Sequence, residues 1–195
     1  HADSVADILA GIGASPALRA TAYLSYAADY LSKPEEAIAR AFGETFGSLV
    51  GHTRTLVRIL RSARDARVEA ERRGLQTERV RKMLLAFSRD LRVVLLRLAS
   101  RLQTLRYFAA NKLQCPPALA AESLQVFAPL ANRLGIWQFK WEIEDLAFRF
   151  LEPDAYHAVS RMLDEKRIER EHGVEEFRLD MRADLASHGI RAEVA

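Results

Sequence analysis

Hydrophobic side chains recur along the chain at the spacing of an α-helix, and no stretch keeps the alternation of a β-strand for long. Residues 32–35, Ser-Lys-Pro-Glu, have the pattern of a capping box and predict a helix that Gly43 ends. Another helix is predicted over Phe46–Leu60, followed by a loop or a frayed helical segment from Ser62 to Leu75. The pattern therefore predicts an all-α fold.

The second half of the chain continues the helical pattern. Asp90 is expected to cap one helix, and a later helix should kink at Pro129, because the proline ring removes a backbone donor and clashes with the preceding turn. Five aromatic residues between Ile136 and Leu151 predict a deeply packed helix. A last long helix is predicted over residues 154–187, with Asp154 as its cap and Gly173 as a point where it could break.

Composition restricts the class of protein. The chain has 195 residues, of which 49% are hydrophobic and 28% charged, as in globular proteins with a real core. The single cysteine, Cys115, excludes an internal disulfide framework and suits a reducing compartment. No apolar run approaches the ~20 residues of a membrane span and no signal peptide is visible, so we expect a cytoplasmic protein without a membrane partner. Because the chain starts at His1 and not at Met, we interpret it as a fragment.

Positive charge is concentrated in one segment. Ten basic and four acidic side chains between Arg54 and Lys82 give a local net charge of +6, whereas the whole chain carries +3. Arg54, Arg58 and Arg61 share one helix face at positions i, i+4 and i+7. This basic patch could attract phosphates or RNA, or it could be a solvated helix surface that is rich in arginine.

Motifs of common catalytic sites are missing from the sequence. There is no phosphate-binding glycine loop and no HExxH, and none of the five histidines lies four residues from another. Glu142, Glu144 and Asp145 are close in sequence, but ion pairs on a helix flank explain them better than catalysis does. Cys115 has no evident base to activate it. The residues themselves therefore do not indicate metal-dependent or nucleophilic catalysis.

Three segments together carry a family resemblance. Residues 127–146 read FAPLANRLGIWQFKWEIEDL, residues 81–86 read RKMLLA, and residues 1–10 read HADSVADILA. These segments resemble the RelA/SpoT family, which makes and breaks the alarmone (p)ppGpp. The resemblance implies an HD-domain-like helical bundle over residues 1–150, with the character of a hydrolase domain. Residues 151–195 would form a helical connector toward a synthetase domain that this sequence does not contain.

The resemblance also identifies the metal positions, and these are altered. Active members of the family hold a manganese ion with a histidine, a His-Asp pair and a later aspartate. These positions fall on His1, Ser25, Tyr26 and Ser100, so only the first is kept. One neutral imidazole with hydroxyl groups is a poor set of ligands for Mn²⁺, and without the ion no water is activated near pH 7. We therefore expect no metal and no cofactor here.

Further positions of the family site are changed as well. The acidic pair that helps to activate water becomes Asp29-Tyr30, and a nucleotide-contacting asparagine becomes Thr104. The resemblance thus implies an inactive pseudo-hydrolase domain of a RelA-type GTP pyrophosphokinase, with a structural and regulatory role toward the synthetase domain. Its contact surface is expected around Trp137–Phe150 and the last helix. Residual manganese-dependent hydrolysis is one alternative, and a basic module that contacts RNA or the ribosome is another.

The partners that the resemblance implies are therefore those of a larger enzyme. The first is the protein's own C-terminal synthetase domain, and the ribosome or tRNA would be reached through the full-length protein. Neither DNA nor a membrane is expected as a partner. Since synthetase motifs do not appear before the sequence stops, the fragment is expected to have neither activity.

Overall fold

The structure of the protein, a computed structural model, describes residues 1–67 and 90–189. Two features of the sequence analysis fall outside these residues, namely the RKMLLA segment and the part of the basic patch beyond Arg67. Within the described residues all regular structure is helical and no strand occurs, which confirms the predicted fold class. The helices are α1 Ala2–Gly11, α2 Pro16–Ala27, α3 Pro34–Phe42, α4 Glu44–Arg67, α5 Leu91–Ala110, α6 Pro117–Glu122, α7 Ala128–Arg133, α8 Trp137–Leu151 and α9 Pro153–Ser187.

The chain divides into two compact units, His1–Leu151 and Glu152–Ala195. The first unit contains α1 to α8. The described part of the second unit is dominated by α9, a continuous helix through Gly173, so the predicted break is wrong. The helix begins at Pro153, which places Asp154 in its first turn, where a carboxylate favours the positive end of the helix dipole. The connector role of residues 151–195 stays a prediction.

Helix α5 is the centre of the first unit. Asp90 begins it as predicted, because its carboxylate accepts a hydrogen bond from the backbone N–H of Arg92 at 3.0 Å. The helix then packs against α1, α4 and α8. Its buried apolar residues meet those of the neighbouring helices in one core, and burial of each large side chain contributes ~1.5–3 kcal/mol. The fully buried members include Val5, Leu9, Leu56, Leu60, Leu98, Leu102, Leu105, Phe127 and Ile143.

Helices α3 and α4 approach each other closely at Gly47. A Cβ atom at this glycine would lie 2.7 Å from the Cβ of Ala39 and 2.7 Å from the backbone oxygen of Glu35. Only the absence of a side chain therefore permits this approach. Gly43 ends α3 with φ of 103°, as the sequence predicted.

One prediction about a helix end in this region is wrong, and another is narrowed. The capping box does not form, because Lys33 is the N-cap of α3 and no side-chain hydrogen bond caps the helix. Pro34 occupies the start of the helix instead, where its fixed φ is already helical. Helix α4 continues to Arg67, so the described part of the Ser62–Leu75 segment is helical, which agrees with the second of the two predicted alternatives.

Two predictions about the second half need correction. The irregularity expected at Pro129 lies one turn earlier, where residues Ser123–Phe127 form a π-helical turn between α6 and α7. This turn contains the residue four positions before the proline, whose carbonyl the ring would otherwise crowd. The aromatic helix α8 is not deeply packed throughout. Phe139 is buried, but Trp137 and Trp141 are 54% and 64% exposed.

Candidate functional site

A cleft of about 700 Å³ opens in the first unit, lined mainly by α2, α4 and α5 together with His1. It gathers positions that lie far apart in the sequence and that only the family resemblance had grouped. Tyr30 is 91% exposed and does not line the cleft. The other family-site positions all do: His1, Ser25, Tyr26, Asp29, Ser100 and Thr104.

The substituted residues in the cleft are bonded to one another. The hydroxyls of Tyr26 and Ser100 lie 2.9 Å apart, which links α2 to α5. The imidazole of His1 meets the ring of Tyr26 edge to face, with the ring centroids 5.2 Å apart. Thr104 donates its hydroxyl proton to the backbone oxygen of Ser100 at 2.8 Å. The centre of the cleft is therefore a network of neutral polar groups.

Two further features determine the polarity of the cleft around Tyr26 and Ser100. Burial raises the pKa of the Tyr26 phenol above its usual value, so the phenol is neutral at pH 7. Arg97 donates to the Ser100 hydroxyl from Nη1 at 3.4 Å, which brings a guanidinium group to the same point. The Oγ atom of Ser25 is buried and has no hydrogen-bond partner among the described residues.

This donor set does not fit the manganese ion that the family resemblance implies. Mn²⁺ favours several oxygen and nitrogen ligands, with negatively charged carboxylates among them. The four family positions supply one imidazole, two serine hydroxyls and a neutral phenol, and the Arg97 guanidinium adds positive charge beside Ser100. Within residues 1–67 and 90–189, no group of three or more His, Cys, Asp or Glu side chains could hold a metal ion.

The basic patch predicted from the sequence lies on the same cleft. Arg54, Arg58 and Arg61 of α4 all line it. Arg54 is bound to acidic neighbours, since its Nη1 donates to Asp29 at 2.6 Å and its Nε lies 4.0 Å from a carboxylate oxygen of Glu35. Arg58 and Arg61 are exposed and have no ion-pair partner among the described residues.

The charge of the cleft is therefore positive. The described residues that line it include five arginines, the three of α4 together with Arg97 and Arg101, and two carboxylates, Asp29 and Glu35. Glu122, which does not line the cleft, pairs with Arg101, so five arginines stand against three carboxylates and the excess is two positive charges. A concave, positively charged wall concentrates anions and repels cations.

Arg101 at the base of the cleft is a residue to which the sequence gave no role. Its side chain is 3% exposed and forms an ion pair of 2.5 Å with Glu122, itself buried. It also donates to the Leu119 carbonyl at 3.2 Å and to the Ser123 hydroxyl at 3.3 Å. The guanidinium lies 4.2 Å from the ring centroid of Phe127. Arg101 thus joins α5 to α6 and the π-helical turn. The sequence signal that could have indicated this role is an arginine within an otherwise apolar helix face.

The remaining candidates from the sequence have structural explanations. Glu142 accepts two hydrogen bonds from Arg106, at 2.5 and 2.6 Å, and Glu144 accepts one from Lys140 at 2.7 Å. The ion-pair interpretation is therefore confirmed for these two carboxylates. Cys115 is buried, and burial raises the pKa of its thiol, which disfavours the reactive thiolate.

None of the helices in the described ranges has both the length and the apolar composition for crossing a membrane.

Comparison with known proteins agrees with the helical architecture. A protein-family model described as HD domain matches residues 1–137. A probable guanosine-3′,5′-bis(diphosphate) 3′-pyrophosphohydrolase of Synechocystis is 36% identical over 190 residues, which cover 97% of this chain and 24% of that protein. The chain belongs to the HD domain family, in the form that RelA/SpoT proteins contain.

Two other relatives carry the name GTP pyrophosphokinase. The protein of Escherichia coli K12 is 37% identical over 162 residues, which cover 82% of this chain and 21% of that protein. The protein of Myxococcus xanthus is 33% identical over 195 residues, all of this chain and 25% of that protein. The chain thus spans about a quarter of the length of the curated relatives that it matches. It is related to both hydrolases and synthetases of this family.

Proposed function

We propose that this chain is a catalytically inactive HD domain of a RelA-type GTP pyrophosphokinase, and that it acts on the synthetase part of its parent as a structural and regulatory element. The observation that carries the proposal is the cleft itself. At the family's metal positions, Tyr26 and Ser100 bond each other, and Arg97 donates to the same hydroxyl. This arrangement argues against binding of a metal ion that would activate a water molecule, the step on which hydrolysis depends.

Hydrolysis of a diphosphate near pH 7 needs an activated water molecule. A bound metal ion supplies this activation by lowering the pKa of its water. The donor set of this cleft does not fit Mn²⁺, and the described lining offers no histidine beside a carboxylate that could replace it as a general base. Loss of hydrolysis follows from the chemistry of several side chains and not from one altered distance.

A regulatory role needs a surface that a neighbouring domain can contact. Trp137 and Trp141 are four residues apart on α8, so they lie on the same face, and both are more than half exposed. Exposed aromatic side chains are enriched at protein interfaces, where each buries a large area. A difference in contact free energy of ~1–3 kcal/mol between two states is sufficient for regulation. We propose this tryptophan pair as the contact with the synthetase domain.

The same proposal covers location and wider partners. From the family resemblance we expect a cytoplasmic protein that reaches the ribosome or tRNA through the rest of its sequence. The whole enzyme's synthesis of (p)ppGpp is part of this proposal, because the present chain spans only about a quarter of such relatives.

The loss of hydrolysis is tested with guanosine 3′,5′-bis(diphosphate) and Mn²⁺. We expect no release of pyrophosphate above the uncatalysed rate and no stoichiometric binding of Mn²⁺ in a calorimetric titration. A triple variant, Ser25→His with Tyr26→Asp and Ser100→Asp, restores the family's ligand types and should gain Mn²⁺ binding. Manganese-dependent hydrolysis by the unaltered chain would refute the proposal.

The regulatory contact is tested in the full-length parent. Replacement of both Trp137 and Trp141 by alanine should change the rate or the regulation of (p)ppGpp synthesis severalfold, if these residues contact the synthetase domain. Tyr107→Ala is the matched control, because Tyr107 is an exposed aromatic residue of α5 with a similar exposed fraction, 52%. Equal rates and equal regulation in both variants would remove the contact from the proposal.

A further inference from the structure

We propose that a polar groove between α1, α5 and α8 receives a lysine side chain from the part of the parent protein outside residues 1–195. The groove has a volume of about 560 Å³ and shares no described lining residue with the cleft of α2, α4 and α5. The inference rests on the proposed function, because it names the chemistry of the segment that meets the tryptophan pair of α8.

The groove continues the surface of the tryptophan pair. Gln138 and Glu142 line the groove, and they directly follow Trp137 and Trp141 in α8. Successive residues of an α-helix are turned by about 100° around its axis, so the groove borders the exposed tryptophan side chains. A segment that packs on the tryptophans can therefore reach the groove with a neighbouring side chain. An apolar part next to a polar part is the usual composition of a protein interface.

The uncompensated charge of this groove is negative. Arg106 and Glu142 neutralise each other, because the guanidinium donates two hydrogen bonds to the carboxylate, at 2.5 and 2.6 Å. Asp7 also lines the groove and forms no ion pair among the described residues. The last turn of α1 reaches the groove at Gly11, and this turn has no basic residue to offset the negative end of the helix dipole. The groove therefore favours a cation.

The free acceptors of the groove suit an ammonium group better than a guanidinium group. Gln103 and Gln138 line the groove, and neither side-chain amide has a hydrogen-bond partner among the described residues. With Asp7 they offer oxygen acceptors from three different helices. A lysine ammonium has three donors that point in separate directions, whereas the arginine fork favours one coplanar carboxylate. Glu142 is such a carboxylate, and it already binds Arg106.

The groove also has an apolar floor for the stem of the incoming side chain. Ile8 and Phe139 line it and are 8% and 3% exposed. A lysine buries its methylene groups along apolar surface and keeps its ammonium group among polar atoms. The combination of a buried apolar floor with free oxygen acceptors above it therefore matches both ends of a lysine side chain.

The experiment is carbodiimide cross-linking of the full-length parent, followed by peptide mapping. The reagent converts a carboxylate and an amine that are in contact into an amide, and itself leaves as a urea. We expect a cross-link from Asp7 to a lysine outside residues 1–195, which Asp7→Asn should abolish. Asp3→Asn is the matched control, since Asp3 is another exposed carboxylate of α1 and does not line the groove.

Two further variants of the parent test whether the groove and the tryptophan pair act together. Replacement of both Trp137 and Trp141 by alanine should lower the yield of the cross-link severalfold, because one segment contacts both surfaces. Asp7→Lys should repel the incoming ammonium and change the rate or the regulation of (p)ppGpp synthesis severalfold. Replacement of the mapped lysine by aspartate in the same protein should then restore the behaviour of the parent.

Several outcomes would overturn the inference. These are no cross-link at Asp7, a cross-link to a lysine within residues 1–195, a cross-linked dimer of the parent, or an equal loss in the Asp3→Asn control. Failure of the two proposals can be distinguished. Absence of the cross-link together with altered synthesis in the tryptophan variant removes only the groove, whereas hydrolysis with Mn²⁺ removes the proposed loss of activity.

Discussion

The cleft contains arginines in two opposite environments. At its base, Arg101 is 3% exposed and is surrounded by an ion pair, two further hydrogen bonds and an aromatic ring. At its rim, Arg58 and Arg61 are exposed and have no ion-pair partner in the part of the chain that the structure describes. The base arginine has its hydrogen-bonding capacity used by the protein, whereas the rim arginines face solvent. The same residue type therefore contributes to stability at the base and is exposed at the rim.

The largest expected effect comes from the base. Arg101→Met leaves the buried carboxylate of Glu122 without its ion-pair partner, which should lower the free energy of unfolding by ~3–5 kcal/mol. Chemical denaturation measures the change. The double variant with Glu122→Leu should recover much of the loss, because it removes the stranded charge. A single variant as stable as the parent would contradict the structural role of Arg101.

The second prediction concerns the close approach of α3 and α4 at Gly47. Gly47→Ala places a Cβ against the backbone oxygen of Glu35, where the chain cannot easily yield, and should lower the free energy of unfolding by ~1–3 kcal/mol. Gly11→Ala is the matched control, since a Cβ there meets no atom within 4 Å. Equal stability of the two variants would refute the close approach of the helices.

The hydrogen bond across the cleft should have a smaller effect. Tyr26→Phe removes the contact with Ser100 and should lower the free energy of unfolding by ~0.5–1.5 kcal/mol, the usual value of one hydrogen bond. Ser100 retains the hydrogen bond from Arg97, which limits the loss. Thermal unfolding of both proteins near pH 7 measures the difference. An unchanged melting temperature would show that this link contributes nothing to stability.

The same variant gives a prediction about pH. The pKa of Tyr26 is raised in the folded state, so above about pH 10 the unfolded chain loses the phenolic proton before the folded chain does. The contribution of this group to stability is therefore complete below that pH and decreases as the pH rises toward the folded-state pKa. Tyr26→Phe should lose less stability than the parent between pH 9 and about pH 11. Parallel pH profiles of the two proteins would contradict the shift.

The smallest expected effect comes from the rim. Arg58→Gln with Arg61→Gln should change the free energy of unfolding by no more than about 0.5 kcal/mol, as is usual for exposed sites without a defined contact. Relief of the repulsion between the two groups can even raise stability slightly. Denaturation without added anion measures this value. A loss comparable to that of Arg101→Met would mean that the rim is structural as well.

The sequence was sufficient for some elements because local rules govern them. Asp90 starts α5 and Gly43 ends α3 as predicted, since capping and a positive φ depend on neighbouring residues alone. Ser32 failed as a cap because Pro34 and Lys33 determine the start of α3. Trp137 and Trp141 were expected to be packed, but a helix faces both core and solvent, and residue type does not decide which side meets the core.

The candidate site divides in the same way. By itself the sequence determined the helical fold class, the family resemblance and the residue types at the family positions, because periodicity and identity are properties of the chain. Only the tertiary structure decided that Arg54, Arg58 and Arg61 line the same cleft as Ser25, Tyr26 and Ser100, and that Arg101 forms a buried ion pair with Glu122. The physical reason is that charge and hydrogen bonding act over a few ångströms in space, whereas the residues that meet there are far apart in the sequence; Tyr26 and Ser100, for example, are 74 positions apart.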